Sequence, residues 1–501
     1  MLLLGIDLGT SSIKVSVVEA ATQMCIASAQ YPDKESGIIS HNLGWAEQKP
    51  EMWWEHVQQA ILKVHSIGNY NPADIAAIGI AYQMHGMVVV DREKNVLRDA
   101  IIWCDSRAVE IGASAFDAIG HQQCLMHLLN SPGNFTASKL AWVKQFEPQV
   151  FDRVDKVMLP GDYIAMKLTG EITTSISALS EGIFYDFLRD SLSDDVMNHY
   201  GFNTDLIPSI NPVFSKHGEL TVEIASKLSL KKGIPVTYKA GDQPNNALSL
   251  NVLNPGEVAA TAGTSGVIYG VTDQLNYDHK SRINPFAHVN YMPHEKRLGW
   301  LLCINGTGIM NRWIKDTLSP EITYSQMNLL ANEIPVGSDG LSVLPFGNGA
   351  ERILNNLQLG AHIHNVDLNK HSNAHIFRAT QEGVAFAFRY GLDIMRSNGM
   401  HPNVIKAGSA NLFLSELFID AFVNTNQVPV ELYHNDGSVG AALGAGIGAG
   451  IFSTPNEAFA NLRPMKIIEP GNDSAYDAAY LLWKELLNNQ LIYKEQEVLC
   501  Q

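Results

Sequence analysis

The sequence predicts an α/β protein built from two related domains that face one anionic ligand. Leu2–Val18 reads as a strand, a Gly-Thr-Ser turn and a second strand, and Lys239–Tyr269 contains the same order about half a chain later. The length of 501 residues is long for one core and ordinary for two domains. Apolar residues make up 46% and charged residues 17%, which is typical of a well-packed α/β protein.

Composition excludes several classes of partner. The net charge of −16 argues against nucleic acid and anionic membranes, because both are bound by clustered Lys and Arg. No apolar run approaches the length of a membrane span, and Asp7 interrupts the short apolar start, which argues against a signal peptide. The cysteines are odd in number and never at metal-ligand spacing, which predicts reduced thiols and a cytoplasmic location. They are Cys25, Cys104, Cys124, Cys303 and Cys500.

The two Gly-Thr-Ser turns are the candidate anion sites, because glycine lets consecutive backbone amides point into one concavity. Asp7 precedes the first turn, and Asp242 lies on a Gly-Asp turn ahead of the second, Gly263–Gly266. Asp242 is therefore a candidate catalytic carboxylate; its structural alternative is a turn-capping residue. For Asp7 the alternative is a strand carboxylate bonded to nearby amides. The common phosphate-loop, zinc, nucleophile-elbow and protein-kinase motifs are absent from the sequence, so ATP would have to be bound by the duplicated turns.

The first half begins with a predicted three-strand antiparallel meander over Leu2–Ala29, and Pro50 then opens a helix. Asp74–Tyr82 reads as a strand that ends in the polar cluster Gln83–Gly86, followed by a paired strand over Met87–Asp91. A polar cluster between paired strands can present side chains into a cleft. A single histidine is as often structural as functional, so its role stays open at this point.

Ile101–Arg107 repeats the pattern of an apolar strand followed by polar residues. Its Asp105 and Arg107 could form a structural ion pair or one wall of a polar substrate pocket, and composition does not choose between them. Thr173–Ser180 is predicted as a Ser/Thr-rich loop, and Ser191–Leu230 as a polar outer layer.

In the second half, Ala374–Asn398 is predicted as a long helix with one apolar stripe. Asn403–Ala407 reads as a strand, Gly408–Asn411 as a tight turn, and the following residues as a helix to Val423. That order points helix amides at a ligand and suits a nucleotide. Gly437–Gly450 is rich in small residues, which predicts a helix pressed closely against a neighbour.

Several of these motifs together resemble the FGGY carbohydrate kinases, part of the actin, hexokinase and heat-shock ATPase superfamily. They are IDLGTSSIK near the start, the AGD turn, AGTSGV and AGSAN, and the resemblance runs to about residue 450. It implies two ribonuclease-H-like domains, at residues 1–247 and 248–501, with a small sugar and ATP in the cleft between them. The tail, Asp473–Gln501, is predicted as a helix that packs on its own domain or on another subunit, which leaves monomer and homodimer open.

Within the family, Gln83–Gly86 resembles the signature of the xylulose kinases, and GWAEQ, WCDSR and LPGDY fit the same subfamily. The resemblance implies ATP-dependent phosphorylation of D-xylulose to D-xylulose 5-phosphate. A family kinase for ribulose, gluconate or a deoxy-ketose is the nearer alternative. A non-catalytic or chaperone-like ATPase on the same fold is the more distant one.

Carried over by position, the resemblance implies Asp242 as the general base and Asp7, with Asp242, as the Mg²⁺ site. The sugar contacts it implies are Gln83, Met84, His85, Trp103 and Asp105. The ATP contacts it implies are Thr10, Ser11, Ser12, Lys14, Gly263, Thr264, Gly408, Ser409 and Asn411. The sequence departs from the family pattern at Ala407 and Tyr82, where glycine is usual, and by one extra residue near Asn134.

Overall fold

The computed structural model describes residues 1–471 and 474–500, with side chains to residue 496. The β-strands are β1 (Leu2–Leu8), β2 (Ile13–Glu19), β3 (Met24–Tyr31), β4 (Glu47–Gln48), β5 (Ile75–Tyr82), β6 (Val88–Val90), β7 (Ala100–Ile101), β8 (Lys156–Met158), β9 (Thr173–Thr174), β10 (Tyr185–Asp186), β11 (Ser191–Leu192), β12 (Ser209–Ile210), β13 (Phe214–Glu219), β14 (Pro235–Gly241), β15 (Glu257–Ala262), β16 (Gly266–Thr272), β17 (Asn284–Ala287), β18 (Leu298–Ile304), β19 (Ser342–Phe346), β20 (Gly360–His364), β21 (Val404–Gly408), β22 (Val430–Tyr433) and β23 (Lys466–Ile468).

The α-helices are α1 (Pro50–Ile67), α2 (Val109–Ile119), α3 (His121–His127), α4 (Thr136–Phe146), α5 (Pro148–Phe151), α6 (Pro160–Thr169), α7 (Ile176–Glu181), α8 (Asp194–Tyr200), α9 (Val222–Lys227), α10 (Asp242–Ser249), α11 (Gly308–Leu318), α12 (Tyr324–Asn332), α13 (Asn373–Ser397), α14 (Glu416–Asn426), α15 (Gly437–Gly448), α16 (Pro455–Ala458) and α17 (Ser474–Cys500). Short 3-10 turns lie at Pro72–Asp74, Thr204–Leu206, Ser338–Gly340, Arg352–Leu354 and Asn411–Leu414.

Each half of the chain is organised around one large mixed sheet. The first sheet has the strand order β13-β14-β5-β1-β2-β3, and the second has the order β17-β18-β16-β15-β21-β22-β23. In both, an antiparallel meander of three strands is extended by two parallel strands, β5 and β14 in one sheet and β21 and β22 in the other. The repeated topology confirms the predicted α/β fold of two related ribonuclease-H-like domains.

Helix α15, from the second half of the chain, packs directly on the sheet of the first half. A β-carbon on Gly5 would lie 1.8 Å from the carbonyl oxygen of Ser438, and one on Gly79 would lie 2.0 Å from that of Ala441. Backbone contact of this kind requires glycine in the strands and small residues in the helix. The predicted close-packed helix is therefore confirmed, and the two sheets meet through α10 and α15.

Three local predictions were wrong. Thr173–Ser180 is not a loop, because Ser175 caps the buried helix α7 by accepting a hydrogen bond from the Ala178 amide at 3.2 Å. The apolar strand expected at the start of Ile101–Arg107 ends at Ile101, because β7 contains only Ala100 and Ile101, which pair with β4. Ser191–Leu230 is not wholly an outer layer, since β13 joins the edge of the first sheet.

Two further differences concern strand pairing and the start of a helix. Strand β6 pairs with β8 and not with β5, so Gln83–Gly86 does not join paired strands. A 3-10 turn over Asn411–Leu414 separates the Gly408 turn from α14, so that helix does not start at the turn.

The predicted tail helix is α17, whose expected end residues Asp473 and Gln501 lie outside the described residues. In the described part of the chain, no helix combines the length and apolarity that crossing a membrane requires.

Candidate active site

The first Gly-Thr-Ser turn joins β1 to β2 and is closed by a hydrogen bond from the Gly9 amide to the Ser12 carbonyl oxygen, at 3.1 Å. The Thr10 hydroxyl donates to the side-chain oxygen of Gln83 at 3.1 Å and accepts from the Trp103 indole N–H at 3.0 Å. The turn therefore brings a predicted phosphate contact, Thr10, beside two predicted sugar contacts. Ser11 beside it is exposed.

The other predicted contacts of this turn are tied to neighbouring side chains. The Ser12 hydroxyl accepts a hydrogen bond from the side-chain amide of Gln30 at 2.9 Å. Lys14 forms an ion pair with Asp436, which also caps α15 by accepting from the Ser438 amide at 3.0 Å. Lys14 thus contacts the second domain, and its side chain stays 42% exposed.

Asp7 and Asp242 come together where β1 ends and α10 begins. Asp242 is the first residue of α10 and follows β14 directly, so the predicted Gly-Asp turn is in fact a strand-to-helix junction. Burial, together with the charge of Asp7, raises the pKa of Asp242 to about 7. Burial and the charge of Asp436 raise the pKa of Asp7 to about 6, while Lys14 opposes the shift. Hydrogen bonds from Gln243, first from its backbone and then from its side chain, partly offset the rise in the pKa of Asp242.

The start of α15 approaches Asp7 closely. A β-carbon on Gly437 would lie 2.3 Å from the Asp7 Oδ2 atom. The side-chain amide of Asn245 donates to the Gly437 carbonyl oxygen at 2.9 Å. Glycine at position 437 therefore leaves room for the carboxylate, and α10 holds this junction in place.

Met84 and His85 lie next to β14, the strand that ends immediately before Asp242. A β-carbon on Gly241 would lie 2.6 Å from the Met84 Cγ atom. The His85 ring packs against Phe135 of the first domain, at 4.9 Å between ring centroids, and against Phe286 of the second, at 5.3 Å. Burial, followed by the charge of Lys139, lowers the pKa of His85 to about 3, so the ring is neutral. Its Nδ1 atom is buried without a hydrogen-bond partner among the described residues.

Asp105 lies in a buried ion-pair network. Its side chain and that of Arg107 are 0% and 1% exposed, and they are joined at 2.7 Å. The carboxylate also accepts the Ala46 amide at 2.6 Å. The guanidinium of Arg107 stacks 3.9 Å above the Trp45 ring and pairs with Glu47 at 2.7 Å. Asp105 is thus fully engaged by the chain, which favours the structural reading of this motif over a direct sugar contact.

The second Gly-Thr-Ser turn borders a pocket of about 370 Å³ in the second domain. The Thr307 hydroxyl donates to the Gly263 carbonyl oxygen at 3.1 Å, and the Gly308 amide donates to the same oxygen at 2.9 Å. Asn411 lies on the far side, with its amide nitrogen 3.5 Å from where a Gly263 β-carbon would be. The pocket is lined by Gly263, Thr264, Gly308, Asn311, Arg312, Tyr324, Asn328, Asn411 and Ser415, among others.

Gly408 and Ser409 line a different cavity. This cavity, of about 560 Å³, lies between the domains and also includes Asn435, Asp436 and Cys25. The turn that contains Gly408 and Asn411 therefore separates two cavities, and the predicted adenosine contacts are divided between them.

Four residues of the site have no role in the sequence-based prediction: Gln243, Glu181, Lys139 and Gly308. Glu181 is 1% exposed and accepts the His85 amide at 2.7 Å, while Lys139 is 0% exposed and donates to the His85 carbonyl oxygen at 2.7 Å. These contacts span 96 and 54 residues of sequence, so local patterns give no sign of them. For Gly308 the sequence gives a weak signal, because this residue lies in the glycine-rich segment that follows β18.

Comparison with known proteins establishes the family of the chain. The model for the N-terminal domain of the FGGY family of carbohydrate kinases matches residues 2–249, and that for the C-terminal domain matches residues 258–449. The chain belongs to the FGGY family. Membership makes it a phosphotransferase of the carbohydrate kinase class, with ATP as the phosphoryl donor that the family implies.

Relatives in the FGGY family cover almost the whole chain. A xylulose kinase of Bacillus subtilis (strain 168) is 29% identical over 464 residues, covering 91% of this chain and 89% of the relative. A xylulose kinase of Escherichia coli (strain K12) is 27% identical over 483 residues, covering 95% and 96%. The crystal structure of xylulose kinase from Rhodospirillum rubrum superimposes with a TM-score of 0.89 at 25% identity, covering 99% and 100% of the two chains.

Proposed function

We propose that this protein transfers the γ-phosphoryl group of ATP to D-xylulose, giving D-xylulose 5-phosphate and ADP. The observation that carries the proposal is the junction of Asp242 and Asp7 beside Met84 and His85. The names of the relatives, which are xylulose kinases, support the choice of sugar. In this proposal residues 1–247 hold the sugar and the general base, residues 248–501 hold the adenosine, and the enzyme works in the cytoplasm.

Asp242 is the proposed general base. As a hydroxyl oxygen of the sugar forms its bond to the γ-phosphorus, its O–H bond breaks and the proton passes to the Asp242 carboxylate. The bond between the γ-phosphorus and the bridging oxygen breaks, and ADP leaves with that electron pair. A pKa of about 7 suits this task, because a base works best when its pKa is near the working pH.

Mg²⁺ fits the same junction. Asp7 raises the pKa of Asp242, and Asp436 raises that of Asp7, while Lys14 opposes the shift at Asp7 and hydrogen bonds from Gln243 oppose the shift at Asp242. Carboxylates left undercompensated in this way are suited to a hard divalent cation. When bound, Mg²⁺ would neutralise charge on the transferred phosphate, with Asp7 and Asp242 as its proposed protein ligands.

The two Gly-Thr-Ser turns are the proposed phosphate sites. Thr10, Ser11 and Ser12 would face the β- and γ-phosphates from the first domain, and Gly263 and Thr264 the transferred phosphate from the second. The adenosine would occupy the pocket of about 370 Å³ beside Asn411, which has polar side chains and exposed turn backbone suited to a nucleoside.

The test is sugar-dependent ADP release by the purified full chain. D-Xylulose, D-ribulose, L-xylulose, D-gluconate and glycerol are each supplied with Mg²⁺ and ATP, with a reaction lacking sugar as the control. We expect strong turnover with D-xylulose and little with the others.

Two other results would refute different parts of the proposal. Preference for D-ribulose or D-gluconate would refute the sugar assignment and keep the kinase chemistry. ADP release that no sugar changes would refute the kinase proposal and favour an ATPase on the same fold.

A further inference from the structure

The peptide of His85 is held at both its polar groups by buried ionisable side chains. The His85 N–H donates to Glu181 Oε1 at 2.7 Å, and the His85 carbonyl oxygen accepts from Lys139 Nζ at 2.7 Å. Glu181 is 1% exposed and Lys139 is 0% exposed. Lys139 also donates to the Ile102 carbonyl oxygen at 3.0 Å, which ties it to the strand region beside the site.

His85 needs this support because its backbone is left-handed. Its φ of +59° is uncommon for a residue with a β-carbon. The conformation directs the ring between Phe135 and Phe286, on opposite sides of the domain cleft. A strained conformation persists only where surrounding groups over-determine it, and here Glu181 and Lys139 are the groups that do so.

Glu181 also borders the end of β14, immediately before the proposed base. A β-carbon on Gly241 would lie 2.9 Å from Glu181 Oε2 and 2.6 Å from Met84 Cγ. Glu181 therefore lies between the Met84–His85 turn and the residue that immediately precedes Asp242. Any movement of its carboxyl group would change the spacing between the proposed sugar contacts and the proposed base.

The electrostatics argue against a role in stability alone. Neither Glu181 nor Lys139 belongs to an ion pair among the described residues, and burial raises the pKa of the Glu181 carboxyl and lowers that of Lys139 to about 7. Buried ionisable groups without an ion-pair partner are costly, and a neutral donor and acceptor would fix the same peptide more cheaply. What this pair adds is a pair of short hydrogen bonds that fix both polar groups of one strained peptide at the cleft.

We propose that Glu181 and Lys139 are positioning residues, which hold the His85 peptide so that Met84 and His85 meet the sugar at a fixed distance from Asp242. The inference rests on the proposed function, since it assigns the turn to sugar binding. It assigns no contact between substrate and either Glu181 or Lys139, both of which are closed off from solvent.

The experiment compares Glu181→Leu, which removes the acceptor, with Glu181→Gln, which keeps an acceptor oxygen for the His85 N–H. Lys139→Met removes the donor on the other side of the peptide. Glu382→Leu is the matched control, because Glu382 is also buried, at 2% exposed, but lies in α13 and pairs with Arg378. For each variant, kcat, the KM for D-xylulose, the KM for ATP and Tm are measured.

We expect Glu181→Leu and Lys139→Met to raise the KM for the sugar roughly tenfold or more and to lower kcat, since misplacement near reacting groups is costly. The KM for ATP should change by less than about twofold, and Glu181→Gln should restore most of the activity. Glu382→Leu should lower Tm and leave both KM values unchanged. Equal changes in the two KM values, or none in a folded Glu181→Leu protein, would overturn the inference.

Crystal structures of the wild type and Glu181→Leu separate this inference from the proposed function. If Glu181 positions the turn, His85 leaves the left-handed region and its ring shifts in the variant. An unchanged His85 would overturn the inference, whichever sugar the enzyme uses. Absence of sugar-dependent turnover in the wild type would instead refute the proposed function, and the crystal structures would still decide whether Glu181 holds the turn.

Discussion

Replacing Asp242 by Asn should remove turnover and, at neutral pH and above, stabilise the protein free of nucleotide and metal. Turnover should fall by roughly 10²–10⁴-fold, the usual contribution of a general base. The stability effect follows from the raised pKa, from 3.8 to about 7. A folded-state pKa above the unfolded value means that the folded protein binds more protons, so stability is lost as pH rises from about 4 through about 7.

The magnitude follows from the size of the shift. About three pKa units at about 1.4 kcal/mol each would give about 4 kcal/mol. Asp242 is partly exposed, and solvent screening reduces this value to about 2 kcal/mol. Asp242→Asn should therefore gain about 2 kcal/mol at about pH 8 and only a few tenths of a kcal/mol at about pH 4, where the carboxyl group is protonated in the folded state and about half protonated in the unfolded state.

Urea denaturation at the two pH values, in the presence of a chelator, measures the difference. Asp33→Asn is the control, because the Asp33 side chain is 84% exposed and its removal should give no comparable gain at about pH 8. An Asp242→Asn protein that is no more stable than the wild type at about pH 8 would refute the electrostatic argument. Near-normal turnover would refute the assignment of the base.

Three further predictions concern the junction between the domains. Gly5→Ala should destabilise the protein by about 1–3 kcal/mol or prevent folding, because its β-carbon would lie 1.8 Å from the Ser438 carbonyl oxygen; the urea midpoint measures this. Mg²⁺ without nucleotide should raise the Tm of the wild type and raise that of Asp7→Asn less, and an equal rise in both would remove Asp7 from the metal site. Gln23→Ala removes two hydrogen bonds between the domains, one of them accepted from the Asn461 amide at 2.8 Å. If these bonds restrain movement of one domain towards the other, their loss should increase sugar-independent ADP release, and unchanged release would show that they do not.

Local sequence was sufficient to predict the turns, hairpins and closely packed helix, because these depend on residues near one another in the chain. The Gly-Thr-Ser turns follow from glycine flanked by apolar strands, and the register Asp7↔Lys14 forms the expected hairpin. Small residues predicted that α15 would pack closely, as Gly5 and Gly437 demonstrate. The order of these motifs along the chain was enough to predict both domains and the family.

Tertiary structure decided what depends on residues far apart in sequence. Asp242 begins a helix instead of a turn, and that helix, α10, is held against α15 from the second half of the chain. Asp105 could have lined a pocket, but the fold places it against Arg107 in the interior. Glu181 meets His85 across 96 residues of sequence, in a helix that the Ser/Thr-rich pattern did not predict. Burial of ionisable groups depends on the whole fold, so the pKa values that make the site chemically useful follow from the tertiary structure alone.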